Sequence, residues 1–214
     1  MRFKLLACEI FFREISSLLA DSPHQIDVEF LPQQWHTVGT ARMKSRLSEC
    51  LAAVDESCYD ALLLAYALCS NGIVGLSTKK IPMVVPRAHD CITLFLGSRE
   101  RYLNYFAANG GTYFMTTGWF ERDKTVHDGI EIMPFYSKLA FIEMGIEPDD
   151  TFERRARVIA EERRWKFEKL TGDLSLLRRL LDGDWNNDFL IVPPGSEIQA
   201  AYNGDVIQVM SSEK

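Results

Sequence analysis

The sequence feature that most constrains the fold is an apolar run, ALLLAYAL, at residues 61–68. A near-continuous run of this length is typical of a strand that is covered on both faces in a parallel sheet. Other short apolar runs lie at residues 3–7, 27–31, 81–85, 112–115 and 188–192. Helical patterns separate several of these runs, so the alternation predicts an α/β fold with a doubly wound, mainly parallel, Rossmann-like sheet.

The chain is expected to form a single α/β domain over residues 1–214. Two runs of strand followed by a polar loop suggest two related halves. The C-terminal third has a helical pattern, because a capping box at residues 150–153 opens a helix to about residue 170. A second helix is predicted at residues 173–181, with Gly183 ending it. Residues 150–183 are therefore predicted to be a helical insertion before the last core strand.

The composition excludes several classes of function. A net charge of −6 disfavours a nucleic-acid partner, since phosphate binding needs a basic face. No apolar run reaches the roughly 18 residues that span a bilayer, and Glu9, Arg13 and Glu14 interrupt the apolar patch near the start. We therefore expect a cytoplasmic protein with no membrane partner. Five cysteines in such a chain favour reduced, metal-bound or catalytic thiols over disulfides.

Three of the five cysteines, Cys8, Cys69 and Cys91, each follow the carboxyl end of a predicted strand. These ends share one edge of a parallel sheet, so we expect the three thiols to meet there. Three thiolates suit a zinc ion or an iron–sulfur cluster with one open iron. Cys50 falls on the apolar stripe of a predicted helix and Cys58 precedes a strand, so neither is a candidate.

Further candidates lie in the same predicted loops. His89 is two residues from Cys91, so it is a candidate fourth metal ligand or an acid/base, and Asp90 is a candidate to orient it. Asn71 and Gly72 offer backbone N–H groups to a bound group, and Trp119 is a candidate wall of the same cleft.

Five blocks of sequence carry a resemblance: ACEIFFRE at residues 7–14, ALCSNGIVGL at 67–76, IPMVVPRAHDCITLFLGS at 81–98, TTGW at 116–119 and FLIVPPG at 189–195. The chain resembles the domain-of-unknown-function family numbered 1638, found largely in anaerobic bacteria and methanogens. That resemblance implies a genomic neighbourhood of corrinoid-dependent methyltransferases, and hence a corrinoid protein or methyltransferase as partner.

The HDC segment at residues 89–91 also resembles the His-x-Cys zinc element of corrinoid-linked thiol methyltransferases, although no cysteine follows Cys91 here. The CSN segment at residues 69–71 resembles the cysteine-asparagine-threonine element of cofactor-independent racemases.

Three functions remain open at this point. The first is a metal-thiolate or iron–sulfur protein for small-molecule or methyl-group chemistry in anaerobic one-carbon metabolism. The second is a metal-free enzyme in which two cysteines act as acid and base in proton transfer. The third is a non-catalytic protein that binds or delivers a metal or a corrinoid. The sequence leaves open the substrate, the metal and the oligomeric state.

Overall fold

The computed structural model describes residues 1–36, 39–122 and 135–210 of the chain. Within them the strands are β1 (Arg2–Cys8), β2 (Gln25–Leu31), β3 (Ala61–Ala65), β4 (Met83–Pro86), β5 (Thr112–Thr116), β6 (Lys138–Glu143), β7 (Lys166–Thr171), β8 (Phe189–Val192), β9 (Glu197–Ala200) and β10 (Ile207–Met210). The helices are α1 (Phe12–Leu19), α2 (Thr40–Ala53), α3 (Cys91–Phe95), α4 (Arg99–Ala108), α5 (Thr117–Arg122), α6 (Thr151–Glu162) and α7 (Ser175–Asp182).

The largest sheet has five strands in the order β2-β1-β3-β4-β8. The first four run parallel, and β8 pairs antiparallel with β4. All five residues of β3 are buried, which is the environment expected for its apolar run. The α/β class is therefore confirmed, with β3 at the centre of the main sheet.

The remaining strands do not extend this sheet. β5, β6 and β7 form a separate three-stranded parallel sheet, and β9 pairs with β10 in an antiparallel hairpin. The single mainly parallel sheet of the prediction is thus replaced by a mixed sheet, a parallel sheet and a hairpin. The sequence pattern also did not predict β6, which is the central strand of the three-stranded sheet and pairs with β5 and β7.

The predicted long helix of the C-terminal third is wrong beyond Glu162. α6 ends there, Arg164 adopts a φ of 58°, and the chain continues as β7 alongside β6. Pairing with β6 satisfies the backbone groups of this charged segment, and sequence periodicity alone does not reveal such a partner. The second helix is found as α7, and Gly183 ends it in the left-handed conformation with a φ of 78°.

Both sheets contribute to the main hydrophobic core. Ile142 and Met144, in and after β6, pack with the side chains of the five-stranded sheet. A smaller core lies between the three-stranded sheet and α6, where Ala156 and Ala160 are buried. In the part of the chain that the structure describes, no helix combines the length and apolarity needed to cross a bilayer.

Candidate functional site

The carboxyl ends of β1, β3 and β4 meet at one edge of the main sheet, because these three strands are parallel neighbours. Past the ends of β3 and β4 the two loops stay paired. The Leu68 N–H donates to the Ala88 carbonyl at 2.9 Å, and the Cys69 N–H donates to the His89 carbonyl at 3.0 Å. The loop that carries Cys69 therefore runs beside the loop that carries Cys91.

A left-handed turn presents Cys69. Cys69, Ser70 and Asn71 have φ values of 43°, 54° and 68°. For residues other than glycine this conformation costs roughly 1–2 kcal/mol each. The Gly72 N–H closes the turn onto the carbonyls of Leu68 and Cys69, at 2.9 and 3.1 Å. Strained turns of this kind persist only where the surrounding structure holds them, and they cluster at functional sites.

The turn borders a cleft of about 320 Å³. Its lining residues come from the start of α2, from the turn, and from the start of α3: Gly39, Thr40, Met43, Cys69, Ser70, Asp90 and Cys91. Two of the three predicted thiols thus line one cleft. A volume of this size suits a small molecule or an ion with its exchangeable ligands.

Burial controls the two thiols that line this cleft. It raises the pKa of Cys69 to about 12, although the backbone N–H groups of Ala67 and Cys91 partly offset the shift. It also raises the pKa of Cys91 well above its ordinary value, and the nearby Cys69 and Asp90 add to that effect. Both thiols are therefore protonated at neutral pH unless a ligand displaces the proton.

Cys8 lies beneath the cleft rather than in its wall. Only 2% of its surface is exposed, and burial raises its pKa to about 12. The Tyr66 hydroxyl approaches the Cys8 thiol and lowers this pKa slightly. The charge of Cys8 raises the pKa values of Cys69 and Cys91, so the three sulfurs share one region of the core.

Asp90 organises the start of α3. Its Oδ1 accepts the Ile92 N–H at 3.0 Å, and its Oδ2 accepts the Tyr102 hydroxyl at 2.7 Å. Burial raises the pKa of Asp90, while these hydrogen bonds lower it. The two oxygens of Asp90 thus hold Ile92 and Tyr102, and the role of Asp90 in orienting His89 stays a prediction. The His89 side chain is exposed, with its ring 6.4 Å from that of Tyr102.

Of the three predicted cofactor contacts, Asn71 and Gly72 lie on the turn that borders the cleft and Trp119 lies away from it. Asn71 is exposed on the turn, and the Gly72 N–H is already used to close it. Trp119 lies on α5, where its ring packs 5.7 Å from that of Phe95, and it does not line the cleft. The sequence reading missed Met43 and Tyr102. Met43 carried only the signal of an apolar helix stripe, and no signal pointed to Tyr102.

All five cysteines are free thiols. Among the residues that the structure describes, no group of three or more His, Cys, Asp or Glu side chains is arranged to hold a metal ion. Cys8, His89 and Asp90 are the residues predicted to join Cys69 and Cys91 at a metal site. Cys8 is buried with the Tyr66 hydroxyl close to its thiol, the His89 side chain is exposed, and Asp90 makes hydrogen bonds at the start of α3.

A family model described as "Protein of unknown function (DUF1638)" matches residues 30–181, which is more than half of the chain. The chain belongs to this family. The segment that matches the DUF1638 model contains every residue that lines the cleft, whereas Cys8 precedes it. No curated protein and no solved structure matches the chain significantly.

Proposed function

We propose that this protein is a metal-thiolate protein that acts in small-molecule or methyl-group metabolism, with its site at the carboxyl edge of the main sheet. The observation that carries the proposal is the placement of Cys69 and Cys91 in the wall of one cleft. Thiolates are the ligands that zinc and iron–sulfur centres use most often. A metal would displace the protons that burial otherwise keeps on these thiols.

Zinc and an iron–sulfur cluster make different demands on the chain. A cluster needs at least three cysteines, so the buried Cys8 thiol would have to move into the cleft, which it does not line. A zinc ion needs fewer protein sulfurs when solvent or substrate completes its four positions. The cleft volume of about 320 Å³ favours a small substrate, so a corrinoid would be presented by a partner methyltransferase or corrinoid protein.

Metal analysis of anaerobically purified protein tests this proposal. We expect about one zinc per chain, or the iron of one cluster, because two half-buried thiols line the same cleft and can act as ligands together. Cys69→Ser should reduce the metal content to near zero. Cys50→Ser is the matched control, since Cys50 lines a different cleft with Lys4 and Glu29. Wild-type protein that carries no zinc, iron or copper would refute the proposal.

The paired thiols also support a second candidate, a metal-free enzyme in which two cysteines transfer protons. The observation in its favour is that Cys69 and Cys91 reach the cleft from separate loops. The raised pKa values weigh against it, because proton abstraction needs one cysteine as thiolate. Fast alkylation by iodoacetamide at neutral pH, confined to one of the two thiols, would favour this candidate over a metal site.

A further inference from the structure

We propose that the cleft binds a soft monovalent metal ion, Cu(I), through Cys69, Cys91 and the thioether of Met43. This inference rests on the metal-thiolate pair of the proposed function, and it adds a third ligand and a class of metal. Three of the residues that line the cleft carry sulfur. Their chemistry differs from that of the three-cysteine or cysteine-histidine sets that zinc and iron prefer.

Met43 is buried on α2, and its sulfur lies against the turn that carries Cys69. A Cβ atom on Gly72 would stand 2.7 Å from the Met43 Sδ and 3.2 Å from the carbonyl oxygen of Cys69. A side chain at position 72 would thus occupy the space beside the thioether. Gly72 lets the Met43 sulfur approach the same turn that presents the Cys69 thiol.

Asp90 and Thr40 line the cleft, and their side-chain oxygens already take part in hydrogen bonds. Both oxygens of Asp90 accept hydrogen bonds at α3, and the Thr40 hydroxyl donates to the Ser70 carbonyl at 3.1 Å. The His89 side chain is exposed next to Tyr102. Among the described side chains that line the cleft, the soft donors are the sulfurs of Met43, Cys69 and Cys91.

A set of thiolates and a thioether selects Cu(I), because soft ligands favour soft ions. Zinc also binds thiolates, but its usual protein ligands are cysteine, histidine and carboxylate rather than methionine. When Cu(I) binds, each cysteine forms a Cu–S bond and releases its thiol proton to solvent. Met43 donates a lone pair without losing a proton, and copper remains monovalent throughout.

Metal titrations of the full-length protein under anaerobic conditions test this assignment. Cu(I) is added in competition with a chromogenic Cu(I) chelator, and Zn(II) in a parallel titration with a zinc chelator. Met43→Leu conserves side-chain volume. We expect it to weaken Cu(I) binding by about tenfold or more, on the scale of other changes around metal sites, and to leave Zn(II) binding unchanged. Met83→Leu is the control, because Met83 is buried on β4 and does not line the cleft.

Other results of these titrations would contradict the Met43 assignment, the proposed function, or both. If Met43→Leu binds Cu(I) as tightly as the wild type while Cys69→Ser loses metal, the Met43 assignment is wrong and the proposed function stands. Equal weakening of Cu(I) and Zn(II) by Met43→Leu indicates a packing defect and also overturns the assignment. If the wild type binds neither metal, both proposals fail. X-ray absorption gives a second measurement. We expect three sulfur atoms around copper in the wild type and two in Met43→Leu. Two sulfur atoms in both proteins would refute the thioether ligand.

Discussion

At the scale of single residues, Glu14 is a buried carboxylate in an unfavourable environment. It is 1% exposed, and neither oxygen meets a well-aligned hydrogen-bond donor in the described part of the chain. Burial raises its pKa to about 7, and the charges of Glu147 and Glu121 add to the shift. The adjacent Arg13 only partly offsets this, because its guanidinium is paired with Glu121 at 2.6 Å.

This raised pKa predicts how stability depends on pH. Between the ordinary glutamate pKa of about 4.3 and about 7, folded Glu14 holds a proton that the unfolded chain has lost. Stability therefore falls as pH rises through this window, and the deficit stays constant above it. We expect Glu14→Gln to stabilise the protein by about 1–3 kcal/mol at about pH 8 and by little at about pH 4.5.

Urea unfolding of wild type and Glu14→Gln at both pH values measures the effect. Glu161→Gln provides the control at an exposed position of α6, where a neutral side chain should change stability little at either pH. An equal stability change at both pH values for Glu14→Gln would show that the ionisation of Glu14 is not the cause.

At the scale of elements, α5 packs closely against the turn that follows β1. A Cβ atom on Gly118 would lie 2.0 Å from the Ile10 carbonyl oxygen. Real Cβ atoms do not approach backbone oxygen so closely, so only glycine allows this packing. The contact joins the end of β5 to the end of β1, and hence one sheet to the other.

Gly118→Ala should therefore destabilise the protein by about 1–3 kcal/mol or more, because the backbone of one segment must move. Gly110→Ala is a matched control, since a Cβ atom there would have no heavy atom within 4 Å. Denaturant midpoints compare the two variants with the wild type. Indistinguishable midpoints for Gly118→Ala and Gly110→Ala would contradict the packing argument.

The three-residue left-handed turn is also a property of an element rather than of one residue. Cys69, Ser70 and Asn71 all precede Gly72, so the turn contains no glycine at its left-handed positions. The sequence therefore does not predict the left-handed conformation. The turn forms because paired loops hold both sides of it, through Leu68 with Ala88 and Cys69 with His89. Tertiary hydrogen bonds offset the conformational cost.

At the scale of the whole molecule, the five-stranded sheet and the three-stranded sheet differ in how well they are covered. β3 lies between β1 and β4 and is buried at every residue, whereas β7 lies at the edge of its sheet and every one of its residues is exposed or partly exposed. Edge strands with partly solvated backbone open locally at lower free energy than central strands.

We therefore expect native-state hydrogen exchange to protect the amides of β3 close to the global limit and those of β7 by less. Exchange followed by mass spectrometry, in peptides covering Ala61–Ala65 and Lys166–Thr171, measures both. If β7 exchanges as slowly as β3, the two sheets open only together, and the difference in coverage has no consequence for local stability.

How far the sequence predicted the fold depended on whether a signal was local. The apolar runs of β1, β3 and β4 and the stripe of α2 are local, and the structure places strands and a helix there. β7 is charged and alternates weakly, and its strand conformation depends on pairing with β6. The residues of β7 alone do not indicate that β6 will pair with them. The sequence therefore predicts a helix that continues through β7, whereas α6 ends at Glu162.

By itself, the sequence determined the α/β class, the central buried strand, and the placement of Cys69 and Cys91 past the carboxyl ends of neighbouring strands. The tertiary structure decided which side chains meet in the cleft. Cys8 is buried and does not line the cleft, Asp90 accepts a hydrogen bond from Tyr102, and Met43 of α2 lines the cleft. The physical reason is that the spacing of apolar residues determines which face of a helix or strand is buried. The side chains that meet at the end of that helix or strand depend instead on how separate elements pack together.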